Sequence, residues 1–212
     1  MKFKCIIFDC DGVLVDSEAT STSVIVDIAR DHGVDLDLEY AINEFAGQSL
    51  AYCLEYIQER SNVPLPNNII SVFRERTFKA FQSDLKPISG IRDLLSRLTC
   101  PICVASNAPL NKIEFNLGLL NLLDYFKGNL FSAYQINKWK PEPDLFLYAA
   151  DKMGYDPKDC VVIEDSLAGV TAARAGGFEV YGYASKHSAN KLKEAGAVVF
   201  YDMNLLDQLL ES

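Results

Sequence analysis

Histidine is nearly absent from this chain: there are two in 212 residues, His32 and His187. One falls at an expected helix end and the other in a late loop, so no histidine-based triad is expected and acid/base work passes to carboxylates. Positive charge is also scarce. Lys and Arg number 20 against 29 Asp and Glu, a formal net charge of −9, and the basic residues are scattered, which argues against a nucleic-acid face or a polybasic membrane patch. No apolar run approaches the roughly 18 residues of a membrane span, and Asp9 comes too soon after Met1-Lys2 for an export signal. The expected location is the cytoplasm, with no nucleic acid, membrane or obligate protein partner. Cysteine is present but unpaired in expectation: most of the six thiols sit in or beside apolar strand-like runs, where a free thiol behaves as a small hydrophobe. Cys100-Pro101-Ile102-Cys103 has no second pair to complete a zinc site, and as a strand it would turn the two thiols to opposite faces.

Apolar residues make up 49% of the chain, enough for a sizeable core. Short apolar runs recur at 4–8, 102–105, 160–163, 180–183 and 197–200, and from about residue 87 onward they alternate with stretches of helical periodicity at 90–98, 109–120, 143–153, 167–175 and 188–195. Alternation of this kind predicts an α/β fold with a parallel sheet. Residues 16–85 break the rhythm. They hold no convincing strand and read as helices at 20–32, 38–46, 50–60 and 67–82, separated at Gly33, Gly47 and Pro64-Leu65-Pro66. The expected organisation is therefore an α/β core of 1–15 and 86–212 with a helical insert of 16–85.

In an open parallel sheet, ligands bind beyond the carboxyl ends of the strands. The first run ends in Asp9-Cys10-Asp11-Gly12, the second in Ser106-Asn107, the third in Glu164-Asp165, and Lys140 lies in a loop stiffened by Pro141 and Pro143. Asp9 and Asp11 are two apart, so an extended backbone sends both carboxylates to one side. With Glu164 and Asp165 added, the cluster offers the hard oxygen ligands that Mg²⁺ selects. Ser106 and Asn107 are candidates for an anion cradle at a helix start, with Lys140 as a point charge beside it. A carboxylate nucleophile that forms an aspartyl-phosphate is the natural consequence of this set, and general acid/base work falls to Asp11.

Asp9-Cys10-Asp11-Gly12-Val13-Leu14-Val15-Asp16-Ser17-Glu18, Ala105-Ser106-Asn107, Lys140-Pro141-Glu142-Pro143-Asp144 and Val162-Ile163-Glu164-Asp165-Ser166-Leu167-Ala168-Gly169-Val170 resemble, in order, the four motifs of the haloacid dehalogenase-like (HAD) hydrolases. Within that superfamily the chain is similar to the β-phosphoglucomutase-like phosphatases with a helical cap, and most to the bacterial 6-phosphogluconate phosphatase type. The resemblance implies a Rossmann-like sheet of strand order 3-2-1-4-5 and a Mg-dependent phosphatase acting on a small phosphomonoester, a sugar phosphate or sugar-acid phosphate. It implies Asp9 as nucleophile and Asp11 as acid/base. The metal would be held by the Asp9 side chain, the Asp11 carbonyl and the Glu164-Asp165 pair, with Mn²⁺ or Co²⁺ as substitutes for Mg²⁺, while Ser106, Asn107 and Lys140 would grip the phosphoryl oxygens.

The cap is expected to close over the site and choose the substrate, with Ala46-Gly47-Gln48-Ser49-Leu50 as its specificity loop and Gln48 and Ser49 as the polar residues in it. Mutases of this type carry a histidine in the first cap helix and bases in that loop. Here 19–24 read Ala-Thr-Ser-Thr-Ser-Val and the loop has no base, so hydrolysis is expected over phosphosugar mutase chemistry. Lys79, Arg74 and Arg76 read as a solvated face, the alternative being that one of them reaches the site from the last cap helix. A non-catalytic phosphate-binding or signalling protein is the remaining alternative.

Overall fold

The computed structural model describes residues 2–45, 48–185 and 188–211. After β1 (Cys5–Phe8) and the two-residue β2 (Val15–Asp16) come α1 (Ser17–Asp31), α2 (Leu38–Phe45), α3 (Leu50–Arg60) and α4 (Ile69–Asp84), then β3 (Lys86–Pro87). The chain continues through α5 (Ile91–Arg97), β4 (Ile102–Ser106), α6 (Leu110–Leu119), α7 (Leu123–Phe126), β5 (Leu130–Ser132), α8 (Ala133–Ile136) and α9 (Asp144–Met153). It ends with β6 (Cys160–Glu164), α10 (Leu167–Ala175), β7 (Glu179–Tyr183), α11 (Ala189–Glu194), β8 (Val198–Phe200) and α12 (Leu206–Leu209). Two compact units result: Met1–Val15 with Lys86–Ser212, and Asp16–Leu85.

In the first unit the sheet order is β5-β4-β1-β6-β7-β8, with every pairing parallel. This is the expected 3-2-1-4-5 order of a Rossmann-like α/β fold, extended by a sixth strand. β1 lies in the middle, where helices cover both faces, and its four residues are completely buried. The side-chain period of two divides it. Cys5 and Ile7 join Cys103, Cys160 and Val162 in one core with α9 and α10, while Phe8 turns the other way and meets the Phe126 ring edge-on at 6.3 Å. Cys5, Cys103 and Cys160 are free thiols. The hydrogen bond that Cys160 shares with Cys5, together with burial, raises its pKa and keeps it an inert hydrophobe.

β5 had no counterpart in the sequence reading. Three residues behind Gly128-Asn129 are too few to show a period, and only pairing with Val104–Ser106 makes them a strand.

The second unit is built on helical spacing. Val24, Ile25, Ile28 and Ala29 of α1 pack with Ala41 and Phe45 of α2 and with Cys53, Leu54 and Ile57 of α3. α1 starts at Ser17 rather than Thr20, because its first turn is packed: Ser17 and Thr20 are both buried. His32 closes this helix, its Nδ1 lying 2.8 Å from Ile28 O, whereas His187 lies outside the described residues. Arg76 pairs with Asp31 and Lys79 with Glu75 on exposed surface. Among the described residues no helix is long and apolar enough to cross a membrane.

Candidate active site

Asp9 is placed by β1. Burying Ile6, Ile7 and Phe8 contributes about 1.5–3 kcal/mol each, so the strand cannot slip without losing core, and Asp9 N donates to Ile163 O at 2.9 Å. The chain then turns at once: Gly12 has φ +81° and its N–H donates to Val15 O at 2.8 Å. A Cβ on Gly12 would fall on the Asp165 carboxylate, so glycine is required both by its left-handed backbone and by the close approach of that side chain.

Lys140 stands between two acids. Its Nζ is 2.6 Å from Asp9 Oδ1 and 2.6 Å from Glu164 Oε1, with 3% of the side chain exposed. Asn107 clasps the backbone that carries it: Lys140 N donates to Asn107 Oδ1 at 2.9 Å, and Asn107 Nδ2 donates to Lys140 O at 3.4 Å. The following Lys140–Pro141 peptide is cis, and the Phe146 ring lies 4.7 Å from the ammonium. Burial pushes the Asp9 carboxyl up to about 7, against the pull of Lys140 and with the charges of Glu164 and Asp11 adding to the rise. Burial alone would lower the Lys140 pKa, but Asp9 and Glu164 hold it above its ordinary value.

Glu164, the last residue of β6, is 1% exposed. Its Oε2 accepts from Asp165 N at 3.0 Å, Ser166 N at 2.9 Å and Ser166 Oγ at 2.9 Å, while Oε1 holds Lys140. Ser166 is also the N-cap of α10, its Oγ accepting from Gly169 N at 3.0 Å. Glu164 is thereby committed to fixing Lys140 and the turn into α10. Among the described residues, Asp9, Glu164 and Asp165 each offer a carboxylate oxygen within 4.8 Å of one another. Oxygen donors of this kind, with no imidazole among them, fit a small hard divalent cation. Burial pushes the neighbouring Cys10 thiol well above the usual range.

Asp11 does not share Lys140. Its Oδ2 is 2.9 Å from Lys112 Nζ, and its Oδ1 is buried without a hydrogen-bond partner among the described residues. Asp9 and Asp11 thus have separate lysines, and the second of these is not among the residues the motifs single out. Its signal was faint: a lysine six residues past Ser106, on a helix that reads as amphipathic. Ser106 ends β4, its Oγ accepting from Ala108 N at 3.1 Å ahead of α6.

Asp9, Asp11, Ser106, Asn107, Lys140, Glu164 and Asp165 all belong to the first unit. Gln48 and Ser49 belong to the second, where both are exposed and Ser49 caps α3, its Oγ accepting from Tyr52 N at 3.2 Å. Ala46 and Gly47 lie outside the described residues.

Comparison with known proteins identifies the family of the chain. The family model of haloacid dehalogenase-like hydrolases matches residues 3–177. Over 209 residues the chain is 33% identical to the 6-phosphogluconate phosphatase of Escherichia coli K12, covering 98% of this chain and 95% of that protein. It is 28% identical over 219 residues to a phosphorylated carbohydrates phosphatase of Thermotoga maritima, covering 98% of this chain and 100% of that one. A crystal structure of a HAD family hydrolase from Deinococcus radiodurans R1, with bound phosphate and sodium, superposes with a TM-score of 0.87 at 28% identity, covering 99% of this chain and 95% of that one.

Proposed function

The chain belongs to the haloacid dehalogenase-like hydrolases and is a phosphoric monoester hydrolase, and from that premise we propose that it is Mg²⁺-dependent and works through an aspartyl-phosphate on Asp9. The observation that carries this reading is Lys140, buried between Asp9 and Glu164 beside the Asp165 carboxylate. In such a place a carboxylate is kept close to positive charge while remaining a nucleophile, and water is largely excluded.

The Asp9 side chain, Asp165 and the main-chain carbonyl of Asp11 would hold the metal, with Glu164 adding charge nearby. Bound there, Mg²⁺ or a substitute such as Mn²⁺ or Co²⁺ would offset charge on the phosphoryl oxygens. An Asp9 carboxylate oxygen attacks phosphorus as the bond to the leaving alcohol breaks, and Asp11 gives that alcohol its proton. Asp11 then takes a proton from water, whose oxygen attacks phosphorus and breaks the bond to Asp9, so that inorganic phosphate leaves and both aspartates return to their starting state. Throughout, Lys140, the Ser106 hydroxyl and the N–H groups that follow it hold the phosphoryl oxygens, while Asn107 keeps the Lys140 backbone in register. Positioning and electrostatics supply nearly all the catalysis in such a scheme.

The substrate class we assign is a sugar phosphate or sugar-acid phosphate. Support comes from the relatives, two of which are named for 6-phosphogluconate and for phosphorylated carbohydrates. We assign the choice among such substrates to the helical unit 16–85. The test is Mg²⁺-dependent phosphate release across sugar phosphates, sugar-acid phosphates and nucleotides, beside Asp9→Asn. Release from one sugar-phosphate class and none from Asp9→Asn is the expected result. Turnover retained by Asp9→Asn would remove the nucleophile from the scheme, and release from nucleotides alone would remove the substrate class.

A further inference from the structure

We propose that Lys112 is a positioning residue for the acid/base: it anchors Asp11 through Oδ2, so that Oδ1 is the oxygen presented to the leaving group. This rests on the role given to Asp11 above.

Three observations carry it. Lys112 Nζ is 2.9 Å from Asp11 Oδ2, a contact between residues 101 apart in the chain, so it exists only because the fold brings the first turn of α6 to the end of β1. On the same carboxylate, Oδ1 is buried without a hydrogen-bond partner among the described residues. One oxygen is thus fixed while the other has no hydrogen bond among the described residues to give up when it meets the leaving group, which is the division of labour a directed proton donor needs. The third observation is electrostatic. Lys112 sits in the first turn of α6, a helix with no acidic residue in that turn, and there the unpaired N–H groups and the macrodipole disfavour a cation. The placement runs against the local preference of the helix and is offset by the carboxylate it meets.

A plain stabilising ion pair explains the contact less well. With 40% of the Lys112 side chain and 31% of that of Asp11 exposed, solvent screens the attraction and leaves little net stability. The role left to the contact is orientation. A carboxylate free to turn about its side-chain bonds would offer either oxygen at many angles, whereas one held at Oδ2 offers the other in a narrow range.

The consequence falls on the bond that breaks. A departing sugar or alkyl alkoxide is strongly basic and must receive a proton as its P–O bond breaks, whereas 4-nitrophenolate leaves without one. Because departure of the alcohol is the first irreversible step, kcat/KM reports it separately from later hydrolysis of the aspartyl-phosphate.

The experiment measures kcat and KM for wild type, Lys112→Met, Lys112→Arg and Asp11→Asn on a series of aryl phosphates of graded leaving-group basicity and on two alkyl phosphates, one of which carries a second anionic group, with Mg²⁺ saturating. For Lys112→Met the expected result is a loss of about a hundredfold on the alkyl phosphate, the lower range for general acid catalysis. On 4-nitrophenyl phosphate the loss should be only a few-fold, so that dependence on the leaving group steepens. Asp11→Asn should steepen in the same way, and Lys112→Arg should recover most of the alkyl activity. Equal losses across the series for Lys112→Met, beside a steepened Asp11→Asn, would overturn the inference and leave the acid/base assignment standing. A rise in KM confined to substrates with a second anionic group, with the leaving-group dependence unchanged, would also overturn it, since Lys112 would then be reading substrate charge. An Asp11→Asn series that does not steepen would overturn the acid/base assignment itself, and the inference with it.

Discussion

Gly169 stands against the Glu164 carboxylate with no room for a side chain, since a Cβ there would fall on Oε1 and on the carboxyl carbon. The same Oε1 holds Lys140 at 2.6 Å. A residue in α10, through its contact with Glu164, therefore sets where that lysine points.

Gly169→Ala is expected to push Glu164 aside and carry Lys140 out of line with Asp9. Displacement of a positioning group by about 1 Å costs on the order of a hundredfold in rate. The check is kcat for the substrate found in the release screen, together with a thermal melt. An alanine variant of wild-type activity would mean that α10 shifts instead and that the spacing there is not critical.

Lys140→Met should be costly for the fold as well as for turnover. It leaves Asp9 and Glu164 buried without their shared cation, and breaking a buried pair from one side typically destabilises by about 3–5 kcal/mol. Urea unfolding of the metal-free protein measures this. Loss of activity with unchanged stability would show that water or a relaxed Asp9 takes over the role of the ammonium.

Metal binding should weaken on the acid side. The Asp9 carboxyl is pushed up to about 7 by burial, so below that pH the metal-free protein holds a proton on a carboxylate the cation needs. The two compete. The Mg²⁺ dissociation constant should rise about tenfold for each pH unit below about 7, the dependence of one displaced proton, and level off above it. Calorimetric titration between pH 5 and pH 9 reads this directly, and a flat profile would exclude Asp9 as a ligand.

Gln48→Ala should alter the ranking of sugar-phosphate substrates by kcat/KM while leaving 4-nitrophenyl phosphate nearly unchanged. Ser49→Ala carries a second effect, because Ser49 caps α3 and loss of an N-cap costs about 1 kcal/mol. Comparing the pair separates substrate reading from helix stability. Equal losses on natural and aryl substrates for Gln48→Ala would place selection elsewhere in the chain.

Much of the sheet was legible because its strands are buried on both faces and so appear as unbroken apolar runs, as at 4–8 and 160–163. The polar residue at the end of each run, Asp9, Ser106 or Glu164, is legible for the same reason, since the run has to stop where the sheet meets the site. β5 was not legible. Lys112 was hidden for a different reason: on its own helix it looks like any solvated lysine, and its partner lies 101 residues away on another element. The double commitment of Glu164 was also out of reach, because it depends on backbone N–H groups at a turn whose geometry no residue pattern encodes.

The chain leaves the sheet unit through β2 and returns through β3, and these two short strands pair with each other; Ile88 N also donates to Leu14 O at 3.1 Å. The seventy residues from Asp16 to Leu85 are thus inserted between two points that are already neighbours. Such an insertion behaves like a cartridge, and evolution can lengthen, replace or exchange it without rethreading the sheet or disturbing Asp9.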